Sequence, residues 1–451
     1  TTKSLVPIHC GQYPKIVPDF DEATPGALPS DCLARILRRT GYATHYMQNP
    51  ESVFERRRDL VQSFGFESMR AMEDLPSEGF EYVGYFGYED DIMLKPAFDW
   101  VDKQRAGDQK TPFYLAYLNA VSHHPYEIPK SFPKGKWGAT SKLNKYYDSI
   151  AYTDRFIKRV FDGFEERGLL DSTIFVLIGD HGEGFGEHGR FQHDQTIYDE
   201  GLRVPLLVVG PGVPKGKRVK GLWQNVDVLP TVLDALDLEV VAGELPGLSV
   251  LKGKGHPELF HSCWRKERCQ AMRVGGRKFI HHYGKRDPEV YDFLTDPWEK
   301  ADLFAAGKIP KPDMDARVAQ MKAWGKTVNA GYKAQETRRK NRWISTTPPE
   351  EIQHPANIVF DDMVRFLGYD VERTRLAHGE ATWFTYYFEA LKDPEPGWQL
   401  FLHAVGPNYK GKKKMVHGDH VPVEGSYPIS EWKKGQFITD RHWLRIKPGF
   451  P

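Results

Sequence analysis

Residues 173–212 read TIFVLIGDHGEGFGEHGRFQHDQTIYDEGLRVPLLVVGPG. Two apolar runs, 173–178 and 204–209, bracket a loop rich in glycine, acid and histidine. Each run is short, largely branched or aromatic, and bounded by glycine, the pattern of a buried strand. The first stops abruptly at Gly179-Asp180-His181-Gly182-Glu183. That places a carboxylate and an imidazole at the C-terminal tip of a strand, where open α/β sheets hold their ligands. The pair is half of a divalent-metal site, and the flanking glycines permit the tight turns it needs. His188 and His193 follow on the same loop. An isolated Asp-His after a strand is as readily a loop cap, so the reading rests on the whole stretch.

Working outward, residues 113–118 (FYLAYL) read as a strand running into Asn119-Ala120-Val121-Ser122-His123-His124-Pro125-Tyr126. Residues 146–168 have apolar side chains at helical spacing, and Gly168 is the stop. Strand, helix and strand in this order imply a mostly parallel sheet sandwiched by helices, with right-handed crossovers. Residues 27–44 read as an amphipathic helix capped by Ser30 or Asp31 and ended by Gly41. Further helices are expected over 93–104 and 226–238. Residues 243–305 alternate short strands and turns, with a hairpin from 276–280 and 289–293. Residues 335–349 are polar, basic and Pro-terminated, the signature of a linker. Beyond it, 381–390 and 399–405 are aromatic strands separated by turn clusters, which reads as an antiparallel β-sandwich. The expected organisation is a domain over 1–330, a linker over 331–350 and a sandwich over 351–451.

The 451 residues carry 62 Lys and Arg against 61 Asp and Glu, a net charge of +1. So balanced a chain has no bulk field for nucleic acid. The four cysteines, Cys10, Cys32, Cys263 and Cys269, make no zinc spacing. Cys263 and Cys269 are read either as a disulfide or as buried thiols. No stretch of ~20 apolar residues is present to span a membrane. His417, Asp419 and His420 are metal-ligand types, but beside a lysine run they read as solvated loop residues.

The 173–212 stretch resembles the Asp-His-Gly-Glu, Gly-Glu-His-Gly and Arg-Val-Pro-Leu segments of the sulfatase branch of the alkaline phosphatase superfamily. The resemblance implies a divalent ion (Zn, Mn, Mg or Ca) bound by Asp180 and His181. It also implies that His193 sits where phosphoethanolamine transferases carry a metal- or phosphate-binding histidine. His123 falls at the histidine of the family's His-x-Pro-Tyr element, which contacts phosphate, sulfate or a second ion. Tyr291-Asp292, Asp296-Pro297 and Glu299 match the segment closing sulfatase-like domains, so the resemblance covers about residues 1–325.

Residues 1–14, TTKSLVPIHCGQYP, are similar in spacing to the family's nucleophile helix. Thr1 takes the position of the sulfatase Cys and so binds the metal and attacks the ester. Lys3 replaces a Pro and adds a cation for substrate binding, and Leu5 replaces an Arg. A Thr cannot become formylglycine, whose second hydroxyl expels sulfate. Thr-x-x-Ser-Leu looks instead like the Thr-nucleophile branch, the phosphoethanolamine and phosphoglycerol transferases. The plain alternative is that Thr1 and Thr2 only cap a helix.

The expected activity is cleavage or transfer of a phosphodiester, with Thr1, His123 and His193 catalytic. The expected substrate is a small-molecule, lipid or glycan phosphoester. The alternatives are hydrolysis of sulfate esters, or an inactive core presenting a carbohydrate-binding sandwich. The resemblance places such a protein outside the cytoplasm and leaves room for an upstream membrane anchor. The chain opens on Thr and closes on IKPGFP. The expectation is a piece of a longer protein, without the N-terminal strand and the acidic metal ligand it carries in the superfamily.

Overall fold

Helix α1 (Thr2–Cys10) buries Leu5, Val6 and Cys10. A disulfide ties Cys10 to Cys32, directly before helix α2 (Leu33–Arg39). Gly41, at φ +89, ends that helix in the left-handed region that glycine adopts without cost. Strand β1 (Ala43–Gln48) begins two residues later. The helix read over 27–44 is therefore shorter, and its last residues are the strand's first, because Ala43 and Thr44 pair with Phe113 and Tyr114. Helix α3 (Arg57–Phe64), β2 (Ser68–Arg70), α4 (Leu94–Arg105) and β3 (Phe113–Leu118) follow. The three strands form a parallel sheet in the order β2-β1-β3.

Period-two alternation sorts the side chains of β3 between two helical layers. Phe113, Leu115 and Tyr117 pack with Ala97 and Val101 of α4 and with Phe156, Val160 and Phe164 of helix α5 (Ser141–Glu166). Tyr114 faces the other way, towards Leu33 and Leu37 of α2. Strand β4 (Phe175–Ile178) divides likewise, with Phe175 in the first cluster and Val176 and Ile178 in the second. Next come the two-residue strands β5 (Gly184–Phe185) and β6 (Phe191–Gln192), helix α6 (Asp199–Leu202), and β7 (Leu206–Val209). Helix α7 (Val228–Ala235) closes the second layer with Leu229 and Leu233. The strand β7 returns antiparallel to β4, with Ile178 opposite Leu206. Among the described residues β3 pairs only with β1, and β4 only with β7.

The computed structural model describes residues 2–106, 110–138, 140–193, 196–239, 245–263, 268–375, 381–395, 397–406, 415–425 and 427–445. It divides into two compact units, Thr1–Ala23 with Ser30–Ala330, and Thr24–Pro29 with Gly331–Pro451. The first unit also contains the antiparallel sheet of β8 (Glu258–Cys263), β9 (Cys269–Val274), β10 (Arg277–His281) and β11 (Glu289–Asp292), in the order β11-β10-β9-β8. Cys263 and Cys269 lie opposite one another in it and are joined as a disulfide.

Helix α8 runs from Lys311 to Trp343, so residues 335–343, read as linker, are helical. The polarity that suggested a linker is that of Gln, Glu, Lys and Arg, all good helix formers. Lys340 also pairs with Glu336 one turn back. Among the described residues the strands of the second unit all pair antiparallel. Strands β12 (Ile344–Ser345), β13 (His354–Phe360), β14 (Val364–Val371), β15 (Ala381–Ala390) and the last strand, Phe437–Arg445, form one five-stranded sheet. Phe388, Ile438 and the fully buried Trp432 are in its core. A separate pair is made by β16 (His403–Val405) and β17 (Met415–His417), so only the end of the run at 399–405 is strand.

Two core histidines carry a testable consequence. Burial, reinforced by the Arg57 charge, pushes His9 down to about 3. Burial, with Arg70, pushes His45 down to about 4. A depressed histidine takes up no proton in the folded chain until the pH reaches its folded value. The unfolded chain binds one from about pH 6.5 downwards. The stability contributed by these two histidines is therefore greatest above about pH 6.5 and falls as the pH drops. Each histidine contributes a slope of about 1.4 kcal/mol per pH unit until its folded value is reached. Urea unfolding between pH 8 and pH 4.5 should show this loss, and His9→Gln should flatten the slope. An unchanged slope in His9→Gln would contradict a buried neutral imidazole at that position.

Candidate active site

The loop after β4 is held by backbone contacts that only small residues allow. Gly179 N–H donates to Pro205 O at 3.3 Å, and Gly182 N–H to Gly201 O at 2.9 Å. A Cβ on Gly182 would lie 2.1 Å from the Glu200 carbonyl oxygen, so no other residue fits without displacing the loop. His188 braces the loop further out. Its Nδ1 is 2.9 Å from Glu200 Oε1, its Nε2 is 2.8 Å from the Glu299 carbonyl, and its ring stacks on Tyr198 at 3.8 Å. Burial lowers the His188 imidazole, but Glu200 and the Glu299 carbonyl outweigh it and leave its pKa raised.

Inside the loop the tip residues gather at one cleft. Its lining includes Asp180, His181, Glu183, His123, Asn119 and Arg57. His193 stacks on His181 with ring centroids 3.9 Å apart, and lies 5.2 Å from the His123 ring. Its Nδ1 is 3.4 Å from both oxygens of Glu183. The structure thus brings together His123, Asp180, His181 and His193, which lie up to 70 residues apart in sequence (123 to 193). His123 comes from the end of β3, where the buried Asp90 carboxylate accepts the N–H groups of Ala120 and Val121 at 2.8 and 3.1 Å.

The hydrogen bonds fix what each ring offers. His181 Nδ1 is 2.8 Å from the Gly182 carbonyl, so Nδ1 carries the proton and Nε2 the lone pair. That Nε2 lies 3.3 Å from Asp180 Oδ2. His123 Nδ1 is 2.9 Å from the His124 carbonyl, which leaves its Nε2 as an acceptor too. Burial, aided by His193 and His181, pushes His123 down to about 4. Burial likewise keeps His181 below its ordinary value against the pull of Asp180. Both rings are neutral at pH 7 and able to coordinate.

Thr1 lies outside the described residues. Its neighbour Thr2 donates its hydroxyl to Glu55 and accepts from Arg57 Nη2 at 3.0 Å. Lys3 is buried between the two carboxylate oxygens of Glu22, at 2.8 and 2.9 Å, and is not among the cleft residues. Burial pulls its ammonium below the ordinary value even against Glu22. The expectation that Lys3 binds substrate is corrected accordingly, since one turn of helix carries its side chain into an internal ion pair.

The cation that does line the cleft is Arg57, which the sequence reading passed over. It sits in FERRRD, where nothing in the spacing separates it from its exposed neighbours. Its guanidinium is buried, and Nε and Nη1 have no hydrogen-bond partner among the described residues. The residues before it, Glu55 and Arg56, hold φ of +50 and +53, a conformation that costs energy for side chains with a Cβ. Buried donors without acceptors in a cleft suit an anionic ligand. Arg57→Ala should lower kcat/KM for an anionic ester by about 10²–10³-fold. Arg57→Lys should recover only part, because the planar fork is lost. Equal inhibition of both variants and the parent by inorganic phosphate would remove Arg57 from the anion site. Phe54 and Phe86, 5.0 Å apart, line the same cleft, and Phe86 also meets the His123 ring at 4.4 Å.

The family model described as Sulfatase matches residues 1–238. Arylsulfatase K of Gallus gallus is 28% identical over 236 residues, 47% of this chain and 43% of that protein. Lipoteichoic acid synthase 2 of Bacillus subtilis is 26% identical over 296 residues, 62% of this chain and 44% of that protein. The chain therefore spans less than half the length of these curated relatives. A crystal structure of an alkaline phosphatase superfamily protein from Vibrio parahaemolyticus shares the fold. Its TM-score is 0.55 at 18% identity, covering 73% of this chain and 76% of that one.

Proposed function

Because the chain belongs to the sulfatase family, we propose that it is a metal-dependent enzyme that cleaves or transfers a phosphodiester through Thr1. The observation that carries the reading is the single cleft shared by Asp180, His181, His123 and Arg57, with His193 stacked on His181. Asp180 and His181 fit a divalent ion. Their Oδ2 and Nε2 are 3.3 Å apart, about the edge of a tetrahedron with bonds of roughly 2.0–2.1 Å. The Gly182 carbonyl on Nδ1 is the outer partner that orients such a ligand. Such an ion supplies Lewis acidity, which neutralises charge on the transferred group and favours an ionised nucleophile.

The chain's own residues do the rest. Thr1, at the position of the family nucleophile, attacks phosphorus through its deprotonated hydroxyl as the bond from phosphorus to the departing alcohol breaks, and the proton lost by Thr1 leaves with that alcohol. Arg57 holds nonbridging oxygens through Nε and Nη1. His123 and His193 face the same group, with the neutral His123 Nε2 accepting a hydrogen from the water or alcohol that releases the intermediate. Phe54 and Phe86 give the departing alcohol an apolar wall. The Cys10–Cys32 and Cys263–Cys269 disulfides suit an oxidising, extracytoplasmic compartment. No helix among the described residues is long and apolar enough to cross a membrane.

The similarity to an arylsulfatase favours a second reading, hydrolysis of sulfate esters. Parallel assays on a phosphodiester and an aryl sulfate, each with Mn²⁺, Zn²⁺ or Ca²⁺, separate the two. Turnover of the phosphodiester alone is expected. Turnover of the sulfate alone would replace the proposal with the second reading.

A further inference from the structure

The second unit carries a group of side chains that the cleft chemistry does not use. In the antiparallel pair β16–β17, His403 stands directly opposite His417. Opposed residues of such a pair point to one face with Cβ atoms about 5 Å apart. The two rings accordingly meet with centroids 4.7 Å apart at 82°. Asp419, two residues past His417 and just beyond the end of β17, reaches the same pair of rings. Its Oδ1 is 3.4 Å from His403 Nε2 and accepts the Leu402 N–H at 2.8 Å. One ligand atom from each of the three residues lies within 4.8 Å of the others. His420, the third ligand type in this segment, is committed elsewhere. Its Nδ1 is 2.6 Å from the Gly418 carbonyl, and its Nε2 is 2.7 Å from the buried Asp440 carboxylate.

We propose that His403, His417 and Asp419 form a surface site for a zinc-class divalent ion, separate from the cleft. Two imidazoles and one carboxylate suit zinc and its neighbours, whereas magnesium and calcium prefer oxygen donors throughout. The Leu402 N–H on Asp419 is an outer-sphere contact that presets the carboxylate. All three side chains are exposed, so the ion has a path in and water can complete its coordination. Strands of three residues each make a marginal ribbon, and an ion bridging them would clip it shut.

The test uses the chelator-treated chain, titrated with Zn²⁺ alone against a chromophoric competitor. The comparison is made in an Asp180→Ala background, so that the cleft does not contribute. Asp180→Ala should bind one equivalent, and adding His417→Ala or Asp419→Asn should weaken it at least about 10–100-fold. Co²⁺ in place of Zn²⁺ should give the visible absorption of a low-coordinate site, lost in the same variants. His417→Ala alone should keep the parent's turnover and metal-free melting temperature, which separates failure of this site from failure of the cleft reading. Unchanged Zn²⁺ affinity in both His403→Ala and His417→Ala would overturn the proposal. So would Zn²⁺ binding that only Asp180→Ala removes.

Discussion

Asp180→Ala should leave a folded protein that holds no divalent ion in the cleft and turns over on the order of 10³-fold more slowly, or worse. The residue is partly exposed, so removing the carboxylate opens no core cavity. It takes away the oxygen that lies 3.3 Å from His181 Nε2, and with it the anionic half of the ligand pair. Charge gives the prediction a second, sharper arm. Losing Asp180 and the ion together takes away one negative and two positive charges but leaves Arg57 in place, so inorganic phosphate should still bind, more weakly, although catalysis is gone. A misfolded loop would lose both. His188→Ala serves as the contrast, because that ring braces the loop from Glu200 and Glu299 and should affect melting more than turnover. Full metal occupancy in Asp180→Ala, measured by elemental analysis, would remove Asp180 from the ligand set.

The parts of this site that lie on regular elements were legible in the sequence. Short apolar runs located β3 and β4, and the residues just past their ends, His123 and Asp180-His181, do meet. That inference needs only the rule that α/β folds hold their ligands just past the C-terminal ends of strands. Arg57 was illegible because burial of one arginine among three is a tertiary fact, set by Thr2 and Glu55 more than 50 positions away or on a strained turn. Lys3 failed for the converse reason: its partner Glu22 lies in a single short helical turn, Asp21–Ala23, and a sequence does not show which carboxylate captures a lysine. The tail of helix α8 failed through composition, since the charged residues of a solvated helix and of a linker are the same. The Cys10–Cys32 pairing likewise needed the folded positions of α1 and α2.

Mixing the metal-loaded enzyme with a phosphodiester should produce a mass increase on Thr1 equal to the transferred phospho group, and Thr1→Ala should abolish both adduct and turnover. The argument begins with what threonine lacks. A formylglycine hydrate expels sulfate with its second hydroxyl, whereas a modified threonine must be released by an incoming water or alcohol. Phosphorus accepts such an attack readily when its oxygens are neutralised by Arg57 and an ion. The start of a helix, here α1 from Thr2, favours an anion through its free N–H groups. Loss of a cap side chain costs only ~1 kcal/mol, so Thr1→Ala should remain folded. Thr1→Ser keeps the hydroxyl and should keep part of the turnover. Aryl sulfates should give no sustained turnover, because a sulfated threonine has no internal route to release. Unchanged phosphodiester turnover in Thr1→Ala would move the attack to a water in the cleft and reduce Thr1 to a helix cap. Sustained sulfate-ester hydrolysis by the Thr1 enzyme would overturn the mechanism outright.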